Sequence, residues 1–141
     1  MDIIRPIKQG IITLQFGAKE NTIPPSNHTG IDIGVNGNPI NVPVYCAKSG
    51  KITWIDENPN TSGGFGKVIY IQLPDGWYSI YAHFNLINYD LKINDNVNVN
   101  DFLGIMGTTG NSTGKHLHYQ ERITMGFGTS RNPIDISDLY K

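Results

Sequence analysis

The sequence is short of cysteine, of long apolar runs and of any excess of one charge. Its single cysteine, Cys46, can form no internal disulfide and cannot contribute to a multi-cysteine zinc site. The surrounding run Val44-Tyr45-Cys46-Ala47 suits a buried structural thiol better than a nucleophile. No apolar stretch approaches the roughly 18 residues of a membrane-spanning helix, so membrane insertion is not expected. Asp2, Arg5 and Lys8 interrupt the first ten residues, where a secretion signal would need a long apolar run and a small-residue cleavage site. No export signal is expected there. Eleven Lys and Arg stand against twelve Asp and Glu, a formal charge of −1, and the basic residues are scattered. Nucleic acid is therefore excluded as an expected partner.

Turn-forming residues are plentiful instead. Fifteen Asn, sixteen Gly and eight Pro in 141 residues suit a chain rich in loops and hairpins, because Asn and Gly tolerate positive φ and Pro removes a helix donor. β-rich runs recur at 11–16, 42–47, 51–55, 68–73, 77–82, 97–99 and 116–122, which predicts an all-β, antiparallel, sandwich or barrel-like fold. Pro74-Asp75-Gly76, between the fourth and fifth runs, predicts a tight hairpin. The Asn-rich stretch from Asn85 allows at most a turn or short helical connection over 85–91. No repeat or composition break divides the chain, so residues 1–141 are expected to form one domain. The tail, with Ile134, Ile136 and Leu139, is expected to pack as a closing strap. Tyr45, Trp54, Tyr70, Trp77 and Tyr78 are expected on the core or sheet face rather than as a carbohydrate platform.

The four histidines carry the chemistry. His28 opens His28-Thr-Gly-Ile-Asp32, and His116 and His118 bracket Leu117. In an extended strand, residues two or four apart share a face, so each of these pairs converges; on a helix, residues two apart diverge. Imidazoles with one carboxylate and no cysteine suit a borderline divalent ion such as zinc. Thr108–Lys115 lacks the spacing of a phosphate-binding loop, since Lys115 is followed by His116 and not by Ser or Thr.

These residues resemble the LytM and lysostaphin-like zinc endopeptidases of the M23 family, which cut peptide bonds in bacterial peptidoglycan. The resemblance runs from Ile12-Thr-Leu-Gln-Phe-Gly17 through His28–Ile33, Pro43–Tyr45 with Gly50–Ile52, Gly63–Gly66 and Tyr81-Ala-His83-Phe84. It ends with Gly104–Gly107, Thr109–Gly114 and His116-Leu-His118-Tyr119. It implies a LytM-type fold with the site in a groove between loops. It also implies a Zn2+ cofactor held by His28, Asp32 and His118, with His83 and His116 as an unliganded catalytic pair. The nucleophile would be a zinc-activated water. One of the pair would take its proton and the other would steady the oxyanion; which does which stays open.

Three departures from the family pattern stand out. Gln120 replaces the Glu common two residues after the second His of His-Leu-His, and strand alternation puts it on the ligand face. Asn94–Asp101 is rich in Asn where Gly is usual at the bends, which Asn tolerates. The Arg often found after Phe-Gly is missing from Phe16-Gly17-Ala18-Lys19. Gly63, Gly64 and Gly66 are expected to form a loop and bulge beside a strand and to line a groove. An inactive relative that binds cell-wall peptides or a partner protein is the alternative reading. A purely structural module explains neither histidine pair, whereas all five metal and catalytic positions are filled. The expected partners are peptidoglycan peptides, reached from a bacteriophage particle, as an endolysin through a phage-lysed membrane, or within a larger exported chain.

Overall fold

A computed structural model describes residues 2–22, 25–112 and 114–141. Thr113 of the Thr109–Gly114 motif, and Ile23 and Pro24 of the loop between residues 19 and 27, lie outside the described residues. The chain is nearly all β. The strands are β1 (Ile11–Leu14), β2 (Lys19–Glu20), β3 (Ser26–Asn27), β4 (Ile31–Gly34), β5 (Pro43–Tyr45), β6 (Gly50–Asp56) and β7 (Lys67–Gln72). They continue with β8 (Tyr78–Ile87), β9 (Asn96–Val97), β10 (Phe102–Met106), β11 (Leu117–Arg122) and β12 (Ser130–Arg131), before the one α-helix among the described residues, α1 (Ile134–Ser137). A ten-stranded sheet runs in the order β1-β4-β11-β8-β7-β6-β9, with β10 bridging β5 and β8 and β12 flanking β11. Every pairing is antiparallel. No helix among the described residues is long and apolar enough to cross a membrane.

Alternation along the central strands separates two faces. Leu117 and Tyr119 on β11, Ile31 and Ile33 on β4, and Ile69 and Ile71 on β7 enter the main core. The intervening Val68, Tyr70, Ile80 and Ala82 form a smaller cluster on the opposite face, under Phe65. That second face also carries Asp32 and His118, which are direct cross-strand partners in β4 and β11. The hydrophobic pattern therefore aims the polar residues of the central strands at one open surface.

Strand β8 breaks this alternation at one place. Tyr81 and Phe84 are three residues apart, yet both enter the main core, which a regular strand forbids. Between them His83 has φ 65°, and the pairing with β7 advances from Ile69↔Tyr81 to Lys67↔Phe84. The extra residue is a β-bulge. It turns His83 onto the same face as Ala82.

Several sequence expectations shift in detail. The first strand stops at Leu14, and β10 and β4 are additional strands. The predicted turn or helical link over 85–91 gives way in part to strand, because β8 runs on to Ile87 and pairs Leu86 and Ile87 with Ile105 and Gly104 of β10. The turn at 74–76 is a three-residue loop closed by Leu73 and Trp77 (N···O 2.7 Å). There the left-handed residue is Gly76, φ 91°, while Asp75 accepts a hydrogen bond from the Trp77 amide. Asn94 and Asn100 do adopt positive φ, 80° and 75°. In the tail Ile136 is fully buried and Leu139 packs against the core, but Ile134 points outward, 55% exposed.

The strap is held by charge as well as by Ile136. Glu121, on the main-core side and 1% exposed, accepts from Lys48 (2.8 Å), from Arg131 (2.7 Å) and from the Tyr119 hydroxyl (2.6 Å). Lys48 also reaches Asp135 of α1 at 2.7 Å. A buried carboxylate with this many donors is satisfied rather than reactive.

Candidate active site

Asp32 is the centre of the site. Its Oδ1 lies 3.1 Å from His28 Nε2 and 3.1 Å from His118 Nδ1, and its Oδ2 lies 3.4 Å from His116 Nε2. The His83 ring packs edge-on against His116, centroids 5.0 Å apart, and stands 6.0 Å from His118. All five residues singled out in the sequence are brought together. His116 sits just before β11 rather than within it, but its ring still reaches the same space.

Each histidine is tethered by its other ring nitrogen. His28 Nδ1 donates to Glu20 Oε1 (3.1 Å), and His118 Nε2 to Gln120 Oε1 (2.9 Å). His83 Nδ1 donates to the Thr109 carbonyl (2.6 Å), and His116 Nδ1 to the Gly114 carbonyl (2.9 Å). A neutral imidazole has one N–H, so each tether leaves the opposite nitrogen as a lone pair. For His28, His116 and His118 that lone pair faces Asp32. Acceptors gathered on a carboxylate repel one another unless a cation or protons sit among them.

Ligand atoms of His28, Asp32 and His118 all lie within 4.8 Å of one another, and two imidazoles with one carboxylate are a donor set suited to zinc. The outer acceptors Glu20 and Gln120 fix the tautomers that such ligation requires. The electrostatics point the same way. Burial works to raise the Asp32 carboxyl, but protons carried on the His118 and His28 nitrogens that face it outweigh burial and hold Asp32 well below the usual carboxylate range, so the carboxylate favours positive charge in the place where an ion would sit. Burial also opposes protonation of His28, and there Asp32 and Glu20 prevail and raise it. His83 differs. Burial, reinforced by the neighbouring His116 and His118, pushes its imidazole down to about 4 against the pull of the Thr109 carbonyl.

The site floors a cleft of about 820 Å3. One wall is the β2–β3 hairpin with Lys19, Glu20, Asn21 and Thr22; the other is formed by Ser62, Gly64 and Phe65 with Asn111 and Ser112. Of the three glycines expected along the groove, Gly64 lines it, and Gly63 and Gly66 do not. The Phe65 ring lies 5.8 Å from that of His118. Gly66 and Gly110 let the two loops of the second wall touch backbone to backbone: a Cβ on Gly66 would fall 2.4 Å from the Thr109 carbonyl carbon.

Sequence reasoning missed Glu20, Thr109 and Phe65. Glu20 lies eight residues before His28, and only the hairpin joins them. The Lys19↔Asn27 and Glu20↔Ser26 pairs continue through His28 N to Ala18 O (2.8 Å), which makes Glu20 a diagonal neighbour of His28. Thr109 and Gly114 act through backbone carbonyls, which no side-chain pattern reveals. Gln120 was placed on the ligand face by alternation, and it does touch His118.

Comparison with known proteins gives one family. The family model described as peptidase family M23 matches residues 26–133. The chain is 34% identical over 110 residues to the DD-carboxypeptidase/endopeptidase Mpg of Neisseria meningitidis, covering 78% of this chain and 23% of that protein. It is 34% identical to the glycyl-glycine endopeptidase ALE-1 of Staphylococcus capitis, over 77% of this chain and 28% of that one. The chain therefore spans about a quarter of the length of these curated relatives. Among solved structures, the catalytic domain of lysostaphin from Staphylococcus simulans superposes with TM-score 0.76 and 28% identity, covering 92% of each chain. A variant of the catalytic domain of the prophage-encoded M23 protein EnpA from Enterococcus faecalis gives TM-score 0.74 and 27% identity, covering 90% of this chain and 91% of that one.

Proposed function

The chain belongs to peptidase family M23, and from that premise we propose that it is a zinc-dependent endopeptidase hydrolysing stem-peptide or cross-bridge bonds of bacterial peptidoglycan. The observation that carries this reading is the convergence of tethered imidazoles on Asp32 at the floor of an open cleft. His28, Asp32 and His118 would hold the zinc. Bound there, the ion supplies Lewis acidity that polarises a carbonyl and makes water acidic enough to attack near neutral pH.

The chain's own residues do the rest. His83 and His116 each give Nδ1–H to a backbone carbonyl and so present Nε2 to the cleft. A neutral Nε2 takes a proton from the attacking water; once protonated, it donates to the developing oxyanion or the leaving amine. Phe65 and the β2–β3 hairpin confine an extended peptide between the cleft walls. Access to the wall through a phage particle or a larger exported chain belongs to the same proposal, and the prophage-encoded neighbour EnpA supports it.

The test is metal analysis with hydrolysis of purified cell walls. The proposal expects about one zinc per chain in the unaltered protein and loss of both zinc and activity in His118→Ala. His83→Ala is expected to keep its zinc and lose hydrolysis by two or more orders of magnitude. A zinc-loaded protein that binds wall peptides without cutting them would make this an inactive binding module.

A further inference from the structure

The bulge that aims His83 needs something to hold it open. A non-glycine residue at φ 65° is strained and persists only where its surroundings over-determine it. One residue from the loop after β10 supplies those surroundings. The Thr109 hydroxyl accepts from the Lys67 amide (3.0 Å) and donates to the Phe84 carbonyl (2.6 Å). Lys67 and Phe84 are the cross-strand pair that borders the bulge. Both hydrogen-bonding roles of the hydroxyl are thereby used, and they stand between two strands that would otherwise close on each other. The carbonyl of the same residue accepts Nδ1–H of His83 at 2.6 Å. Thr109 itself has little freedom, because Gly66 and Gly110 admit the neighbouring loop at backbone contact.

We infer that Thr109 is a positioning residue for His83: its hydroxyl wedges the bulge open and its carbonyl fixes the direction and tautomer of the ring. The inference rests on the proposed function in one respect, that His83 acts in hydrolysis. Thr109→Val keeps the shape and the carbonyl but removes the wedge. The Lys67 amide and Phe84 carbonyl then lose their partner, the Thr109 loop is no longer tied to the two strands at the bulge, and the His83 ring leaves its aim.

The experiment compares Thr109→Val, Thr109→Ser, His83→Ala and the double variant Thr109→Val/His83→Ala in the zinc-loaded protein. Expected in Thr109→Val is a fall in kcat of roughly ten- to hundredfold, the scale of a misplacement near 1 Å. KM and zinc content should stay within about twofold, and Thr109→Ser should recover most of the rate. In the His83→Ala background the valine should cost almost nothing more, since the two changes act on one group. A readout without substrate is the His83 Nδ1–H proton resonance, sharp and slow to exchange in the unaltered and serine proteins and lost in the valine protein. Unchanged kcat and an unchanged resonance in Thr109→Val would overturn the inference. An equal rate loss with and without His83 would overturn it as well, by making Thr109 act elsewhere. If the valine protein does not fold, Thr109→Ala takes its place; failure of both to fold makes Thr109 a scaffold residue and ends the proposal. If His83→Ala hydrolyses as fast as the unaltered protein, it is the role given to His83 that fails, and the resonance still reports on Thr109.

Discussion

Removing the Glu20 carboxylate should weaken zinc binding at the proposed site by about tenfold while leaving its three proposed ligands, His28, Asp32 and His118, untouched. Glu20 Oε1 accepts Nδ1–H of His28 at 3.1 Å, and that bond keeps the Nε2 lone pair aimed at the site. A hydrogen bond to an ionised partner contributes about 1.5–3 kcal/mol where it is well shielded. The Glu20 side chain is 34% exposed, so water replaces part of that contribution, and about 1–1.5 kcal/mol is left. That corresponds to roughly tenfold in affinity, the lower end of the range of about 10–100-fold found for outer partners of metal-bound histidines. Glu20→Gln keeps an acceptor at the same reach and loses only the charge, so it should fall between Glu20→Ala and the unaltered protein. Gln120→Ala, which strips a buried acceptor from His118, should cost at least as much as Glu20→Ala. The assay is competition for zinc against a chromophoric chelator at pH 7.5, starting from metal-free protein. Affinity within twofold of the unaltered chain in Glu20→Ala would refute the reasoning, because His28 would then hold its tautomer without help.

Three further predictions rest on groups around and behind the site. Folding holds His83 near pKa 4 against 6.5 in the open chain, so the unfolded state binds its proton first and stability is lost as pH falls from about 6.5 to 4. Removing the group in His83→Gln should flatten the loss of unfolding free energy of the metal-free protein over that window, by up to about 3 kcal/mol at pH 4, read from denaturant melts at each pH; identical slopes would contradict it. Cys46 is fully buried and its thiol is pushed up to about 12 by burial. A thiol reagent should therefore label it only after denaturant is added, and stoichiometric labelling of native protein would count against this. Glu121→Ala leaves Lys48 and Arg131 short of a partner in a buried network; it should cost about 3–5 kcal/mol, read as a drop in Tm of about 10–20 °C, and a drop of under 3 °C would refute it.

The sequence made the sheet readable where apolar and polar residues alternate, as in Leu117–Gln120, because period two survives any change in the partner strand, and where a β-rich apolar run is bounded by turn residues, as in Val68–Leu73 before Pro74-Asp75-Gly76. Phe102–Met106 escaped notice because Gly104 interrupts a short apolar run, and its place is set by pairing with both β5 and β8. Asn85 marks a turn by local preference, yet β10 carries the strand past it to Ile87. The cluster around Asp32 was legible in part because His28 with Asp32, and His116 with His118, are close along the chain, while the division into proposed ligands and a catalytic pair came from the family resemblance. Glu20 and Thr109 were not, since a hairpin and a bulge bring them to His28 and His83, and the bulge at His83 depends on a hydroxyl 26 residues away.

The central claim is that this cleft cuts peptide bonds in the wall, and the ends created by digestion test it most directly. Purified peptidoglycan is incubated with the zinc-loaded protein, with the chelated protein and with the chelated protein resupplied with zinc, and new amino groups and new reducing sugars are counted. The account predicts new amino groups with the loaded and resupplied protein, almost none after chelation, and no new reducing sugars in any arm. New reducing sugars without new amino groups, or full release after chelation, would contradict it.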